Sequence, residues 1–163
     1  MNQTITLQGS SVLDIPAREA FEKLLEPKEQ LKWNTLYLEV HTEPAGAIRS
    51  GTVMTGRFKG SGKATVRFEN VIPGEEFTHH SEMMLFNLFP LGEFRHKYRV
   101  SQPGALTVFT QTVTFSPKGL GRLLQGMIVK GFKNRLPESF REFKAYAEGS
   151  KTEGSANRPV SIS

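Results

Sequence analysis

Hydrophobic and polar positions along this chain change period twice, and the changes mark out its elements. Ile5, Leu7, Val12 and Leu13 seek a core across Gln3 to Leu13, with Thr and Gln between the first of them, the period of two of a half-buried strand. Asp14 then stands as a helix N-cap, and Pro16 near the first helical position, where its missing N–H leaves no bond unmade. Ala17, Ala20, Phe21, Leu24 and Leu25 recur at helical spacing. Pro27 ends that helix and begins another, whose Leu31 and Trp33 point back to the core. Two short helices between Pro16 and Trp33 therefore form a bent prop and not one long rod.

From Leu36 the period falls to two and stays there to Ser116. Leu36, Leu38 and Val40 alternate with Tyr37, Glu39 and His41, and a loop rich in Pro and Gly follows. Val53 to Lys59 and Lys63 to Ile72 flank Gly60-Ser61-Gly62, a hairpin signal, with Ala64, Val66, Phe68 and Ile72 expected on one face. Pro73-Gly74 turns the chain into Glu76 to Met84. The firmest alternation is Glu93 to Val100, which sets Phe94, His96, Tyr98 and Val100 on one face and Glu93, Arg95, Lys97 and Arg99 on the other. Pro103-Gly104 leads into a last strand, Leu106 to Ser116, whose Phe109, Val113 and Phe115 favour Gln111 as inward.

The closing segment, Leu120 to Glu148, reads as one helix. Leu120, Leu123, Leu124, Met127, Ile128, Phe132, Leu136, Phe140 and Phe143 form broadly one stripe. At 1.5 Å per residue this helix is about 42 Å long. Pro137 removes a backbone bond inside it, and Gly126 and Gly131 each lower helix propensity by up to about 1 kcal/mol relative to alanine. Its available partner is the antiparallel sheet that precedes it. A sheet that curls around such a helix leaves space between the two, and spaces of this kind hold small apolar ligands. The pattern predicts a single α+β domain over residues 1–148, followed by a polar tail over 149–163 whose composition favours disorder.

Composition narrows the class. A chain of 163 residues suits one domain with a real core. No apolar run approaches the roughly 20 residues needed to span a bilayer, and the N-terminus lacks the basic-then-apolar pattern of a signal peptide, so a cytoplasmic location is expected. The absence of cysteine excludes disulfides, thiolate nucleophiles and most structural zinc sites. The net charge of +5 is concentrated: between Lys118 and Glu148, seven Lys or Arg stand against three Glu. Such a run reads first as a solvated helix face and second as a surface that attracts an anionic partner. Aromatic residues are not interleaved with these bases as on a single-strand platform, and no nucleic-acid partner is expected.

His96 and Tyr98 are the leading candidates for chemistry, because the alternation puts both on the apolar face. A buried histidine or tyrosine must find a hydrogen-bond partner, either within a filled core or on a ligand, and in a cavity both are suited to proton transfer. His79 and His80 are adjacent and face opposite sides, and the sequence leaves open which faces in. Glu82 shares a side with His80, but His80, Glu82 and His96 make a weak metal signal, and neither a metal nor a cofactor is expected. Gln111 offers a neutral donor and acceptor. The string MMLFNLFPLG, Met83 to Gly92, is too apolar for a free loop. It either folds over the core or forms a lip at a cavity mouth, with Trp33 and Met54 completing the rim. There is no Gly-x-Ser-x-Gly elbow, no phosphate-cradling glycine loop and no pair of carboxylates on an inner face.

With these elements placed, the chain resembles the START/Bet v 1-like (SRPBCC) superfamily, and within it the polyketide cyclase/dehydrase and lipid-transport group. The likeness covers Thr4 to Glu148. It rests on the opening strand, the two-helix prop ending in Trp33-Asn34, the Gly51-x-x-x-x-Gly56 strand, the turn at Pro73-Gly74 and the C-terminal LPESFREFKAYAEG. The resemblance implies a helix-grip fold, in which a seven-stranded curved antiparallel sheet wraps the long C-terminal helix and two short helices follow strand 1. It also implies binding of lipids, polyketides or other hydrophobic molecules, without implying catalysis. The residues expected to contact such a ligand are Trp33, Met54, Phe68, His80, Met84 and Phe86 from the first part of the chain. Phe94, His96, Tyr98 and Gln111 join them from the sheet, and Leu124, Met127 and Ile128 from the helix. Three functions stay open: a carrier, sensor or store of a hydrophobic small molecule; a cyclase or dehydratase using His96 or Tyr98 as acid–base; and an interaction module using the basic helix face. Ligand identity and oligomeric state are not fixed by the sequence.

Overall fold

A computed structural model describes residues 4–86, 88–149 and 161–162. The elements follow the order β1 (Ile5–Leu13), α1 (Ala17–Leu25), α2 (Pro27–Trp33), β2 (Tyr37–Glu43), β3 (Val53–Phe58), β4 (Gly62–Ile72) and β5 (Glu76–Leu85). Then come β6 (Phe89–Ser101), β7 (Thr107–Pro117), α3 (Gly121–Glu148) and a two-residue β8 (Ser161–Ile162). The strands form one antiparallel sheet in the order β2-β3-β4-β5-β6-β7-β1-β8. β1 lies beside β7, with Ile5 opposite Phe115 and Leu13 opposite Thr107. The seven expected strands are all present, and β8 adds to the edge by pairing with Gly9 and Ser10. The expected polar tail otherwise falls outside the described residues.

The sheet's inner face and α3 share an aromatic core. Phe21 meets Phe77 edge-on at 5.8 Å, Phe77 stacks on Tyr98 at 4.7 Å, and Tyr98 lies parallel to Phe109 at 6.1 Å. Phe109 then contacts Phe140 at 5.0 Å and Phe143 at 5.3 Å, and Trp33 closes on Phe143 at 5.0 Å. One cluster thus joins α1, α2, the sheet and the second half of α3. Rings of this size bury 150–250 Å² each and dominate core energetics.

α3 continues unbroken across Pro137, but its two halves are held differently. Leu136, Ser139, Phe140, Phe143 and Ala147 are buried, whereas Leu123 is 82% exposed and Met127 67%. The single stripe expected along the helix is therefore buried over its second half only. The same half is tied by polar contacts. Lys144 Nζ donates to the Val12 carbonyl at 2.5 Å and to Glu148 Oε1 at 3.0 Å. Asp14, expected to cap α1, instead donates its backbone N–H to Glu148 Oε1 at 2.7 Å, and α1 starts after Pro16 with no side-chain cap.

Two further expectations change. Ile72 leaves the face of Val66 and Phe68 because β4 bulges between Glu69 and Ile72, with Asn70 at φ 49°. Met83 to Gly92 is mostly strand: Met83–Leu85 completes β5 and Phe89–Gly92 begins β6, with a register shift between Met83 and Met84. Its tip is not a core cover, since Phe86 is 87% exposed and Leu88 and Phe89 are exposed beside it. Among the described residues no helix is long and apolar enough to cross a membrane.

The start of α3 rests on β6 through a close backbone approach. A Cβ added at Gly121 would lie 1.6 Å from the Leu91 carbonyl oxygen, while one at Gly126 would meet nothing within 4 Å. The two glycines should therefore respond to alanine with opposite sign. Gly121→Ala forces a backbone shift and is expected to lower stability by about 1–3 kcal/mol. Gly126→Ala relieves a propensity penalty and should raise it by about 0.5–1 kcal/mol. Denaturant midpoints measure both, and a shift of the same sign for the two variants would contradict this packing.

Candidate functional site

Because α3 is anchored by its second half, the inner face of the sheet is not completely covered. A cavity of about 910 Å³ remains between the sheet and α3, within the range that suits small-molecule ligands. Strands β4 to β7 contribute Val66, His79, Phe94, His96, Tyr98, Gln111 and Val113 to its wall, and β2 and β3 contribute Tyr37 and Phe58. Met83 and Met84 line it beside the β5–β6 hairpin. From α3 come Phe132, Arg135 and Ser139, spaced three and four residues apart and so on one helix face. Aromatic contacts stiffen the wall. Phe94 packs between Phe115 at 4.5 Å and Phe132 at 4.7 Å, and Tyr37 meets Phe58 edge-on at 4.8 Å.

Charged lining residues lie toward β2, β3 and the ends of β4 and β5, with Glu39, Arg57, Lys63 and Glu82, whereas the polar groups deeper in the wall are His79, His96, Tyr98 and Gln111. His79 and His96 face each other across β5 and β6. His79 is buried, with its ring against Phe68 at 4.6 Å and Tyr98 at 5.1 Å, and its Nε2 has no hydrogen-bond partner. Burial, reinforced by the neighbouring His96, pushes its pKa down to about 3. Burial alone pushes His96 down to about 4. Both rings are therefore neutral at physiological pH. The Gln111 amide nitrogen lies 3.3 Å from His96 Nδ1, so the amide donates and the ring proton of neutral His96 sits on Nε2. That arrangement leaves Gln111 Oε1 buried and unpartnered. Burial also raises the Tyr98 hydroxyl above its usual pKa, so it too stays neutral.

Arg135 is the charged group in the part of the wall that α3 supplies, and its charge is already matched. Its guanidinium donates to Glu142 at 3.0 and 2.5 Å, to Glu138 at 3.4 Å and to Asn34 Oδ1 at 3.1 Å. Glu142 also accepts from the Thr35 hydroxyl at 2.8 Å. This network pins α3 to the link between α2 and β2. It also corrects the expectation of a wholly solvated basic face, since Arg135 and Lys144 are both part-buried.

Of the residues expected to contact a ligand, Met84, Phe94, His96, Tyr98 and Gln111 come together in this cavity. The others are placed elsewhere. Alternation from the buried Phe77 turns His79 inward and His80 outward, where His80 lies 2.8 Å from Glu69 Oε1 and 3.5 Å from Glu93 Oε2. His80 and His96 thus sit on opposite faces, and the His80, Glu82 and His96 trio does not assemble. Trp33, Met54 and Phe68 are buried in the core cluster and do not line the cavity. Phe86 and Met127 are exposed, and Leu124 and Ile128 are half-buried on the first part of α3 without lining the cavity. Sequence reasoning missed Phe132, Arg135 and Ser139. Their spacing was readable, but a row containing an arginine and a serine does not read as an inner face.

Residues 4–148 match the family model described as "Polyketide cyclase / dehydrase and lipid transport". No curated protein matches the chain. Among solved structures, the Zhui aromatase/cyclase from Streptomyces sp. R1128 is similar with a TM-score of 0.75 at 11% identity, over 93% of this chain and 98% of that one. Ara h 8.0201 is similar with a TM-score of 0.67 at 14% identity, over 90% and 99% of the two chains. The Aha1 dimer from Colwellia psychrerythraea gives 0.61 at 13%, over 91% and 99%. At these identities the likeness carries the helix-grip fold alone.

The two cavity histidines make a pH prediction. Each binds a proton near pH 6.5 when exposed but resists it when folded, so the unfolded chain takes up more protons below that pH. Stability should be complete above about pH 6.5 and fall as pH drops toward 4, by up to about 1.4 kcal/mol per pH unit for each histidine. His79, pushed to about 3, should contribute more than His96, pushed to about 4. Thermal unfolding across this range should show a shallower acid slope in His79→Gln than in the native chain, and an unchanged slope would refute the assignment.

Proposed function

The chain belongs to the polyketide cyclase / dehydrase and lipid transport family, and on that premise we propose that it binds a hydrophobic small molecule in the cavity between sheet and α3, as carrier, sensor or store. The observation that carries this reading is the chemistry of the wall. Its inner part, built from Val66, Phe94, Val113 and Phe132 with His79, His96, Tyr98 and Gln111 among them, is largely aromatic, and two buried polar atoms there, His79 Nε2 and Gln111 Oε1, lack a partner in the protein. Such atoms are costly to leave unpaired, and a ligand hydroxyl, which both donates and accepts, suits them. Apolar area then supplies affinity and the polar pair supplies orientation.

A cyclase or dehydratase is the second reading, favoured by the structural likeness to an aromatase/cyclase. In it His96 or Tyr98 would move the proton. A general acid–base works best with a pKa near the operating pH, and burial moves both groups away from it, His96 down and Tyr98 up. His96 Nδ1 is also already engaged by Gln111. Both facts support binding over turnover.

Naphthol and naphthalene separate the two contributions to binding. They share an apolar body, and only naphthol carries a hydroxyl. Naphthol is expected to bind about fivefold more tightly, the worth of one hydrogen bond to an otherwise unpaired buried group. Gln111→Leu should reduce that ratio to near one without weakening naphthalene. Equal affinity for the two compounds in the native protein would remove the basis of the proposal.

A further inference from the structure

Large exposed hydrophobic side chains are not scattered evenly over this molecule. Of the nine among the described residues, Phe86, Leu88 and Phe89 form the tip of the β5–β6 hairpin, and Leu120, Leu123 and Met127 lie at the start of α3. The two segments meet where the Lys118 N–H donates to the Leu91 carbonyl at 2.9 Å and Gly121 lies against the same carbonyl. Single exposed apolar residues are ordinary, but a contiguous group of this size marks an interaction surface.

Charge identifies the occupant. From Lys118 to Leu136 the chain carries Lys118, Arg122, Lys130, Lys133 and Arg135 and no acidic residue. Helical spacing sets Lys130 in the row of Leu123 and Met127, with Arg122 and Lys133 along one side of that row. The nearby carboxylates are already engaged. Glu93 pairs with Lys118 at 2.5 Å, and Glu82 lies 3.9 Å from the same ammonium. An apolar row bordered by bases, on the half of a helix that the core does not bury, has the chemistry of a segment that lies on a lipid surface. A second copy of the chain fits less well, because a two-fold contact would set the basic rows against each other.

We infer that the β5–β6 tip and the first half of α3 dock on an anionic lipid bilayer, with Phe86, Leu88, Leu123 and Met127 inserted and Lys130 and Lys133 against the headgroups. Met83 and Met84, which line the cavity, lead directly into the inserted tip, so docking sets that end of the cavity beside the lipid. The inference stands on surface residues and does not depend on the cavity having a ligand.

Co-sedimentation of the full chain with vesicles tests it. Vesicles of mixed phosphatidylcholine and phosphatidylserine should bind the protein, pure phosphatidylcholine should bind it far less, and added salt should release it. Each lysine neutralised should weaken partitioning about fivefold, so Lys130→Gln with Lys133→Gln should lose on the order of tenfold or more. Phe86→Ser with Leu123→Ser should abolish binding, and Leu38→Ser, an exposed apolar residue outside the patch, should leave it intact; circular dichroism checks that each variant is folded. Absence of binding to either vesicle, or binding unaffected by the patch variants, would overturn the inference. So would a concentration-dependent dimer that Phe86→Ser dissolves while vesicles bind nothing, since the patch would then belong to a second copy.

Discussion

The structure depends on one contact, the closure of Phe109 on Phe140 and Phe143. These rings are fully buried, and they connect the stacked Phe77 and Tyr98 of the sheet to the second half of α3. Arg135 and Lys144 add polar ties within the same half. Anchoring a long helix at one half only has a geometric consequence. The other half spans the sheet without filling the space beneath it, and Phe132 reaches down to Phe94 and His96. Cavity and exposed apolar helix face thus come from the same asymmetry.

Burial then decides what the cavity can do. A group enclosed by aromatic rings loses its hydration, and a charged form loses more than a neutral one. His79, His96 and Tyr98 are all driven toward neutrality, and Arg135 keeps its charge only inside a network with Glu142, Glu138 and Asn34. Buried groups of this kind are suited to orienting a ligand through hydrogen bonds, and His79, His96 and Tyr98 provide no strong acid or base at neutral pH. The family model spans carriers and catalysts alike, so the distinction between them rests on these particular groups.

Much of this was legible in the sequence. Period-two alternation over Glu93 to Val100 placed Phe94, His96 and Tyr98 on one face, and all three line the cavity. Gln111 followed from Phe109 and Val113 in the same way. What failed was inference from hydrophobicity alone. Met127 and Phe86 are apolar and exposed, while Phe68, Met54 and Trp33 are apolar and consumed by the core. The difference is set by where α3 is anchored, which is a tertiary fact. His79 and His80 show the same limit at shorter range: alternation demanded that one face inward, but only packing around Phe77 fixes which.

Native mass spectrometry shows whether this cavity holds a hydrophobic molecule and leaves it chemically unaltered. The full chain would be incubated with a lipid and aromatic extract of its host and followed over time. The expected result is a retained small molecule of constant mass. A bound mass that falls by the loss of water, with no such fall in a folded His96→Phe variant, would contradict it and make the protein a catalyst.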